Sequence, residues 1–586
     1  ALFDPFDVAD MRLVLHRLAT DDPWRAELEA HAIAHARQFT WDRVATKALE
    51  AFARTAGATA SPPPTPARDG AGDGRKRLAF FSPMPPQPSG ISDYSMDLLP
   101  ALAAHYDIDI VVEQTSIDRN GLPASIGVRS AAWFREHAHD YDRILYQFGN
   151  SPFHDYMFEA LQAHPGMIVL HDFFMCGLFG HRLQFNREAV ARELVGEHGY
   201  AAAMGVRDAT DVRRALGDYP ANLQLLQGAI GVIVHSEHAR QLATSWFGAS
   251  GARDFVAIPL LRAPTQDRDR EAARASLGIG PDDLLVCSFG FLDPVKLNDR
   301  LLDAWLGSRL ETDRRAHLAF VGQNEGGFYG RALTERIQNS ACRDRVRITG
   351  WTQRGVYETY LAAADIAVQL RTGSRGETSA AVIDCMNHGI PTIVNAHGTM
   401  AELDPSGVRM LPIIRTRHAP GPCAAQYQEA IETAYARDAR GLGGLIHGLR
   451  AMAIPPGEQQ RVATSLARNF PAHPRCRQLL VDVSSLARTD LRTGIERVTR
   501  AVLRQWLTQP PAGWRIEPVY ATATAAGYRY ARQFTCRFLG IEGAGIEDGV
   551  VEAWSGDVFF GLDFAPDIVE LQQDHLRAWQ NRGVKV

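Results

Sequence analysis

Short, nearly continuous apolar runs recur along the chain, separated by longer stretches of helical period. That is the pattern of strands buried on both faces of a parallel sheet. From Arg77 the runs are RLAFFS (77–82), IDIVVE (108–113), RILYQF (143–148), MIVLHD (167–172) and GVIVHS (231–236). A second set follows: LLVCSFGFL (284–292), HLAFVG (317–322), RVRITGW (345–351), IAVQL (366–370) and PTIVN (391–395). The stretch ISDYSMDLLPALAA, between the first two runs, puts Ile91, Met96, Leu98, Leu99 and Leu102 on one buried stripe. This alternation predicts an α/β protein with two Rossmann-like, doubly wound parallel sheets. A third start appears at QLLVDVSSL (478–486), where strand, loop, Gly-Ile and helix repeat the order of 77–104, with Gly494-Ile495 matching Gly90-Ile91. Ahead of all this, residues 1–56 read as helices, with Met11, Leu13, Leu15, Leu18 and Leu28 near helical spacing. Residues 57–75 are rich in Pro, Gly and Ala without apolar periodicity, which predicts a linker.

Composition narrows the function classes only a little. At 586 residues several domains are expected, and 46% hydrophobic with 22% charged residues is ordinary for a globular protein. A net charge of −5 gives no global case for a nucleic-acid partner. The seven cysteines are scattered with no C-x-x-C pair, which predicts reduced thiols and a cytoplasmic setting. The sequence contains no apolar run of about 18 residues, the length of a spanning helix.

The candidate chemistry concentrates in 371–395, RTGSRGETSAAVIDCMNHGIPTIVN. After the IAVQL run comes a polar loop, then a helix starting near Thr378–Ser379 and stopping at Gly389, and Pro391 opens the next strand. A polar loop at a strand's carboxyl end that feeds a helix N-terminus is where open α/β sheets bind anions. Glu377 and Asp384, seven apart, share a face if the helix begins at or before Glu377. On their own these residues also fit an ordinary crossover with solvated acids.

The stretch resembles the donor-sugar motif of retaining glycosyltransferases of family 4 (glycosyl transferases group 1), which have the GT-B fold. Asp384 stands where the family's second Glu stands, ahead of CMNHGIPTIV. Strict register puts Gly376 at the first Glu, with Glu377 one residue later as its functional equivalent. SPMPPQPSGISDYS resembles the family's first loop, with Gly90 at its phosphate-approaching end. In the family pattern Gly, Arg, four residues, Lys and Gly, this chain keeps Lys296 but has Phe291 at the Arg and Leu297 at the second Gly. The resemblance then requires the missing cation from elsewhere, with Arg371 and Arg375 as the candidates. His171 occupies the place of a histidine that contacts the donor sugar, His154 is an acceptor-side candidate, and Glu402 holds the acid position of the closing loop.

The resemblance implies a GT-B enzyme: an acceptor domain over 76–265 and a donor domain over 266–475. Residues 1–56 would be the helical tail of a preceding glycosyltransferase module and 476–586 the start of a further one, the whole a section of a multi-module bacterial polysaccharide enzyme. It implies retaining transfer of a hexose, mannose-type favoured, from a nucleotide-diphosphate sugar such as GDP-mannose to a growing polysaccharide or lipid-linked glycan of the O-antigen kind. Lys296, Glu377 and His171 would be catalytic. Gly90, Arg371, Gly376, Thr378, Ser379 and Asp384 would bind the donor, with no metal and no cofactor. The expected partners are the nucleotide sugar and the glycan acceptor, with peripheral contact at the inner face of the membrane. Two other readings stay open: a GT-B nucleotide-sugar epimerase, and a degenerate module that binds glycan or a partner enzyme.

Overall fold

A computed structural model describes residues 75–586, apart from 261, 263–268, 396, 404–419, 441, 453, 470–475, 489–493, 512, 542–545 and 564. The helices expected over 1–56 and, save Arg75, the linker over 57–75 lie outside the described residues. Residues 75–434 and 476–586 fall in one compact unit, and the helices Leu442–Ala451 and Pro456–Asn469 belong to another.

The first sheet contains β1 (Lys76–Phe81), β2 (Tyr106–Val112), β3 (Gly127–Ser130), β4 (Arg143–Phe148), β5 (Gly166–Leu170), β6 (Ala229–Val234) and β7 (Phe255–Ala257). Its order is β3-β2-β1-β4-β5-β6-β7 and every pairing is parallel. Helices on both faces leave β1 fully buried from Leu78 to Phe81, which is why such strands read as unbroken apolar runs. The sequence pattern missed β3 and β7. GVRS is short and half exposed, and FVA is three residues long; both are edge strands buried too little to carry an apolar signal.

The second sheet is built from β8 (Leu284–Phe289), β9 (Ala316–Val321), β10 (Val346–Ile348), β11 (Ile366–Gln369) and β12 (Thr392–Val394), ordered β10-β9-β8-β11-β12 and again all parallel. Two doubly wound parallel sheets in tandem make the α/β, GT-B class. Strand order reverses between β1 and β4 in one sheet and between β8 and β11 in the other. Ligands of such sheets sit outside the strand carboxyl ends at these reversals. Helix Pro420–Arg440 returns to the first sheet: the Tyr427 and Tyr94 hydroxyls lie 2.6 Å apart, and Glu432 takes Arg143 at 2.7 Å and the Tyr106 hydroxyl at 2.9 Å.

The third sheet holds β13 (Arg477–Asp482), β14 (Trp514–Thr522), β15 (Ala525–Tyr530) and β16 (Val558–Gly561), in the order β15-β14-β13-β16. The order repeats β3-β2-β1-β4, except that β15 runs antiparallel to β14. One face shares a core with helices Arg187–His198 and Tyr200–Asp208: Val195, Tyr200 and Ala203 pack with Val481, Leu503 and Ile516. Arg515 ties the contact, donating to the carbonyls of Val195 (2.8 Å) and Gly196 (2.6 Å) at the first helix's end and pairing at 2.6 Å with Glu517, which is 1% exposed. The last carbonyls of a helix run short of donors from their own helix, so the arginine supplies hydrogen bonds at an end that this packing covers.

Candidate functional site

At the second sheet's reversal two loops meet. Thr372 N–H donates to the Val295 carbonyl at 2.7 Å, which sets the loop after β8 against the loop after β11. Lys296 and Arg371 are thereby neighbours. Burial, followed by the Arg371 charge, lowers the Lys296 ammonium to about 8. Its Nζ lies against Gly290, where an added Cβ would stand 2.5 Å from it. Leu297, at the family's glycine position, has φ +51°, so the left-handed turn is kept without the glycine. Arg371 is clamped by Asn395, whose Oδ1 accepts from its N–H (2.8 Å) and whose Nδ2 donates to its carbonyl (2.6 Å). The Arg371 guanidinium forms an ion pair with Glu377, and the second Glu377 oxygen accepts the Arg375 N–H at 2.6 Å.

The helix behind this loop spans Ala380–Asn387, with Ser379 as its N-cap residue but no side-chain cap bond. It ends as the sequence predicts: Ile390 N–H reaches the Cys385 carbonyl (2.9 Å) and Gly389 N–H that of Met386 (3.0 Å), the Schellman pattern. Glu377 precedes the first helical residue, so it shares no helical face with Asp384. The two acids have separate partners. Asp384 faces Arg262 at 3.2 Å and accepts from the Tyr357 hydroxyl at 3.2 Å, while burial raises its carboxyl above the ordinary range.

Across from this loop stands the rim of the first sheet. Gly90 begins helix Gly90–Leu102, capped by Ser89, and a Cβ there would meet nothing within 4 Å. His171 Nε2 is 2.8 Å from Gln147 Oε1, and burial, followed by His235, holds the imidazole well below its ordinary pKa. His154 is fully buried with Nδ1 on the Gln147 carbonyl at 2.8 Å. Asp172 accepts the Asn150 N–H at 3.1 Å. Burial, followed by the Glu377 carboxylate, pushes it up to about 6.

The two rims touch directly. Phe173 and Phe174 donate their N–H groups to the Arg375 carbonyl at 3.0 and 3.2 Å. Gly376 has φ +86°, and a Cβ there would come 2.5 Å from the Phe173 Cβ. Thr378 donates to the His235 carbonyl at 3.4 Å, and Glu402 accepts N–H groups of Glu237 and His238 at the start of helix Glu237–Gly251. Arg354 of the second half pairs with Asp97 of the first at 3.5 Å.

Lys296, Arg371 and Glu377 are thus brought together, with Gly376 and Thr378 on the seam. Ser379 leads into the helix, Asp384 lies beside Tyr357 and Arg262, and His171 and Gly90 are on the opposing rim. Sequence reading missed Asp172, Gln147, His235, Arg262 and Asn395. Asp172 carried a signal, an acid directly after His171 at a strand end; the others act through contacts between distant segments. Among the described residues no group of three or more His, Cys, Asp or Glu side chains is arranged to hold a metal ion, and no helix is long and apolar enough to cross a membrane.

Residues 283–433, which contain the second sheet and its loops, match the family model of glycosyl transferases group 1. The serotype-specific mannosyltransferase WbdA of Escherichia coli is 38% identical over 132 residues, 22% of this chain and 15% of that protein's length. Among solved structures, Anabaena Alr3699/HepE in complex with UDP and glucose is 16% identical with a TM-score of 0.40, covering 67% of this chain and all of that one. WaaG, a glycosyltransferase involved in lipopolysaccharide biosynthesis, is 14% identical with a TM-score of 0.37, covering 68% of this chain and all of its own.

Proposed function

We propose that residues 76–475 form a retaining glycosyltransferase module that moves a hexose from a nucleotide-diphosphate sugar to a growing polysaccharide or lipid-linked glycan. The observation that carries this reading is the pairing of Lys296 and Arg371 at the second sheet's strand-order reversal, beside the start of helix Ala380–Asn387 and facing the rim of the first sheet. Two cations and helix N-terminal amides suit a diphosphate leaving group, whose negative charge grows as the glycosidic bond breaks. In the retaining course the acceptor hydroxyl attacks from the side the diphosphate leaves, and a donor phosphate oxygen takes its proton. Glu377 holds Arg371 in place and lines the sugar side of the loop, His171 faces the sugar's hydroxymethyl group, and Gly90 lets ligand approach the first helix. Asp384, engaged by Arg262 and Tyr357, supports the loop from behind.

A mannose-type GDP donor is the favoured substrate, on the strength of the partial likeness to a mannosyltransferase. Residues 476–586 are read as the start of a further module, because their strand order repeats that of the first sheet's opening four strands. The module works in the cytoplasm, with peripheral contact at the inner membrane where its acceptor is lipid-linked.

Thermal unfolding of the full chain with excess GDP, UDP or dTDP tests the reading. A ligand at about 100 times its Kd adds roughly 2.7 kcal/mol to the stability of the state it binds. Stabilisation by one nucleotide, followed by transfer from its hexose derivative, is the expected result. A folded protein that responds to none of them refutes it.

A further inference from the structure

We propose that His235 is a substrate-contact residue that accepts a hydrogen bond from a hydroxyl group of a hexopyranose in the cleft. The proposal rests on the glycosyl-transfer reading above and adds to it a residue that neither the motif nor the sequence pattern singles out. His235 directly follows β6, at the rim where the two halves meet, and its carbonyl accepts the Thr378 hydroxyl from the second half.

The hydrogen-bonding state of its ring follows from its partners. Nδ1 lies 3.0 Å from the Ile258 carbonyl, which only accepts, so Nδ1 carries the proton. In the neutral ring Nε2 then presents a lone pair. Burial keeps the imidazole neutral down to about 4. His235 is 6% exposed, and its Nε2 is a buried polar atom with no hydrogen-bond partner. Native folds rarely leave such atoms unmet, and they concentrate where a ligand or water completes the bonding.

The surroundings define what it can bind. The ring lies 4.8 Å from that of His171 and 5.4 Å from that of Tyr94. His171 is fixed in the same way: Nε2 faces Gln147 Oε1 at 2.8 Å, which leaves Nδ1 as its acceptor. Two neutral imidazoles side by side thus present acceptor nitrogens next to an aromatic ring. A phosphate oxygen brings no proton to a lone pair and is repelled by it. A sugar hydroxyl brings a proton. The chemistry therefore excludes the diphosphate; ribose and base also carry donors, so an affinity loss in His235→Phe already present with nucleotide alone overturns the proposal. The hexose is either that of the donor or that of the acceptor.

The test compares the full chain with His235→Phe, which keeps a ring of similar size against Tyr94 and His171. Both are titrated with GDP, UDP and dTDP, with the hexose derivative of the nucleotide that binds, and with methyl mannoside in the presence of that nucleotide. The expected result is nucleoside diphosphate affinity within about twofold and hexose affinity weakened roughly tenfold, the size of one lost hydrogen bond to a buried acceptor. Loss confined to the nucleotide sugar assigns the donor hexose, and loss confined to methyl mannoside assigns the acceptor. Unchanged hexose affinity in both arms overturns the proposal. A wild-type chain that binds no nucleotide removes the glycosyl-transfer reading and this proposal with it. Should the variant fold poorly, wild-type protein with 15N-labelled histidine decides: the unprotonated Nε2 resonance of His235 shifts with the nucleotide sugar beyond the shift from nucleotide alone, and an unmoved resonance overturns the proposal.

Discussion

Replacing Gly376 with Ala perturbs the seam between the two halves by a single methyl group. Two terms set the magnitude. At φ +86° a residue with a Cβ is in the left-handed region, which costs about 1–2 kcal/mol. The new Cβ would also stand 2.5 Å from the Phe173 Cβ and 3.2 Å from the Leu242 Cδ1, so one side has to move. Overpacking of this kind costs about 1–3 kcal/mol. Together the two terms come to roughly 2–5 kcal/mol, unless the loop withdraws and gives up the Phe173 and Phe174 bonds to the Arg375 carbonyl. Gly373→Ala is the control: φ is +60° there and a Cβ meets nothing within 4 Å, so only the backbone term applies. Hydrogen exchange of 371–377 and thermal unfolding read the difference, with Gly376→Ala expected to exchange faster and unfold earlier than Gly373→Ala. Equal effects from the two substitutions would refute the claim that Gly376 is required by the contact with Phe173.

Two further predictions concern the cations. Lys296 has its pKa lowered to about 8 by burial and by Arg371, so its ammonium is fully charged well below that pH and is lost as the pH rises through it. Nucleotide affinity should therefore be greatest below about pH 8 and fall by up to about tenfold per unit above it, and Lys296→Arg should remove the dependence; an affinity that is flat up to about pH 10 sinks the assignment. Arg371→Ala should weaken nucleoside diphosphate binding at least about tenfold, as expected for a lost charged hydrogen bond, and adding Phe291→Arg should recover part of it. Calorimetric titration measures both, and a double variant no better than Arg371→Ala alone would show that the two positions do not serve the same phosphate.

The strands that form the middle of each sheet were legible because burial on both faces leaves an unbroken apolar run; RILYQF became β4 without a change of boundary. Gly389 announced the end of its helix for a similarly local reason, since the Schellman bonds involve only neighbouring residues. The edge strands β3 and β7 were hidden because they are short and only partly covered. Within the site, Lys296 and the 371–379 loop were visible as polar residues at strand ends. What the pattern could not give was partnership. Arg262 meets Asp384 although the two are far apart in sequence, and Asn395 holds Arg371 from the next strand's end. Such contacts depend on the sheet order, which no local window contains.

Sheet order also accounts for the places where the chain departs from the motif it resembles. Phe291 stands where that motif has an arginine, and it is 48% exposed just past the end of β8. The adjacent strand in space is β11, because the order reverses between them, and Arg371 follows it closely. Under the proposed reading, a cation absent from one loop is supplied from the loop beside it, although the two positions are far apart in sequence. Glu377 pairs with Arg371 while its other oxygen takes the Arg375 N–H. A one-residue shift of that acid leaves the family's Glu position to Gly376, the residue that fits closely against Phe173. The absent arginine, the displaced glutamate and the glycine at the seam therefore meet in one loop, where Arg371 is paired with Glu377 and stands beside Lys296.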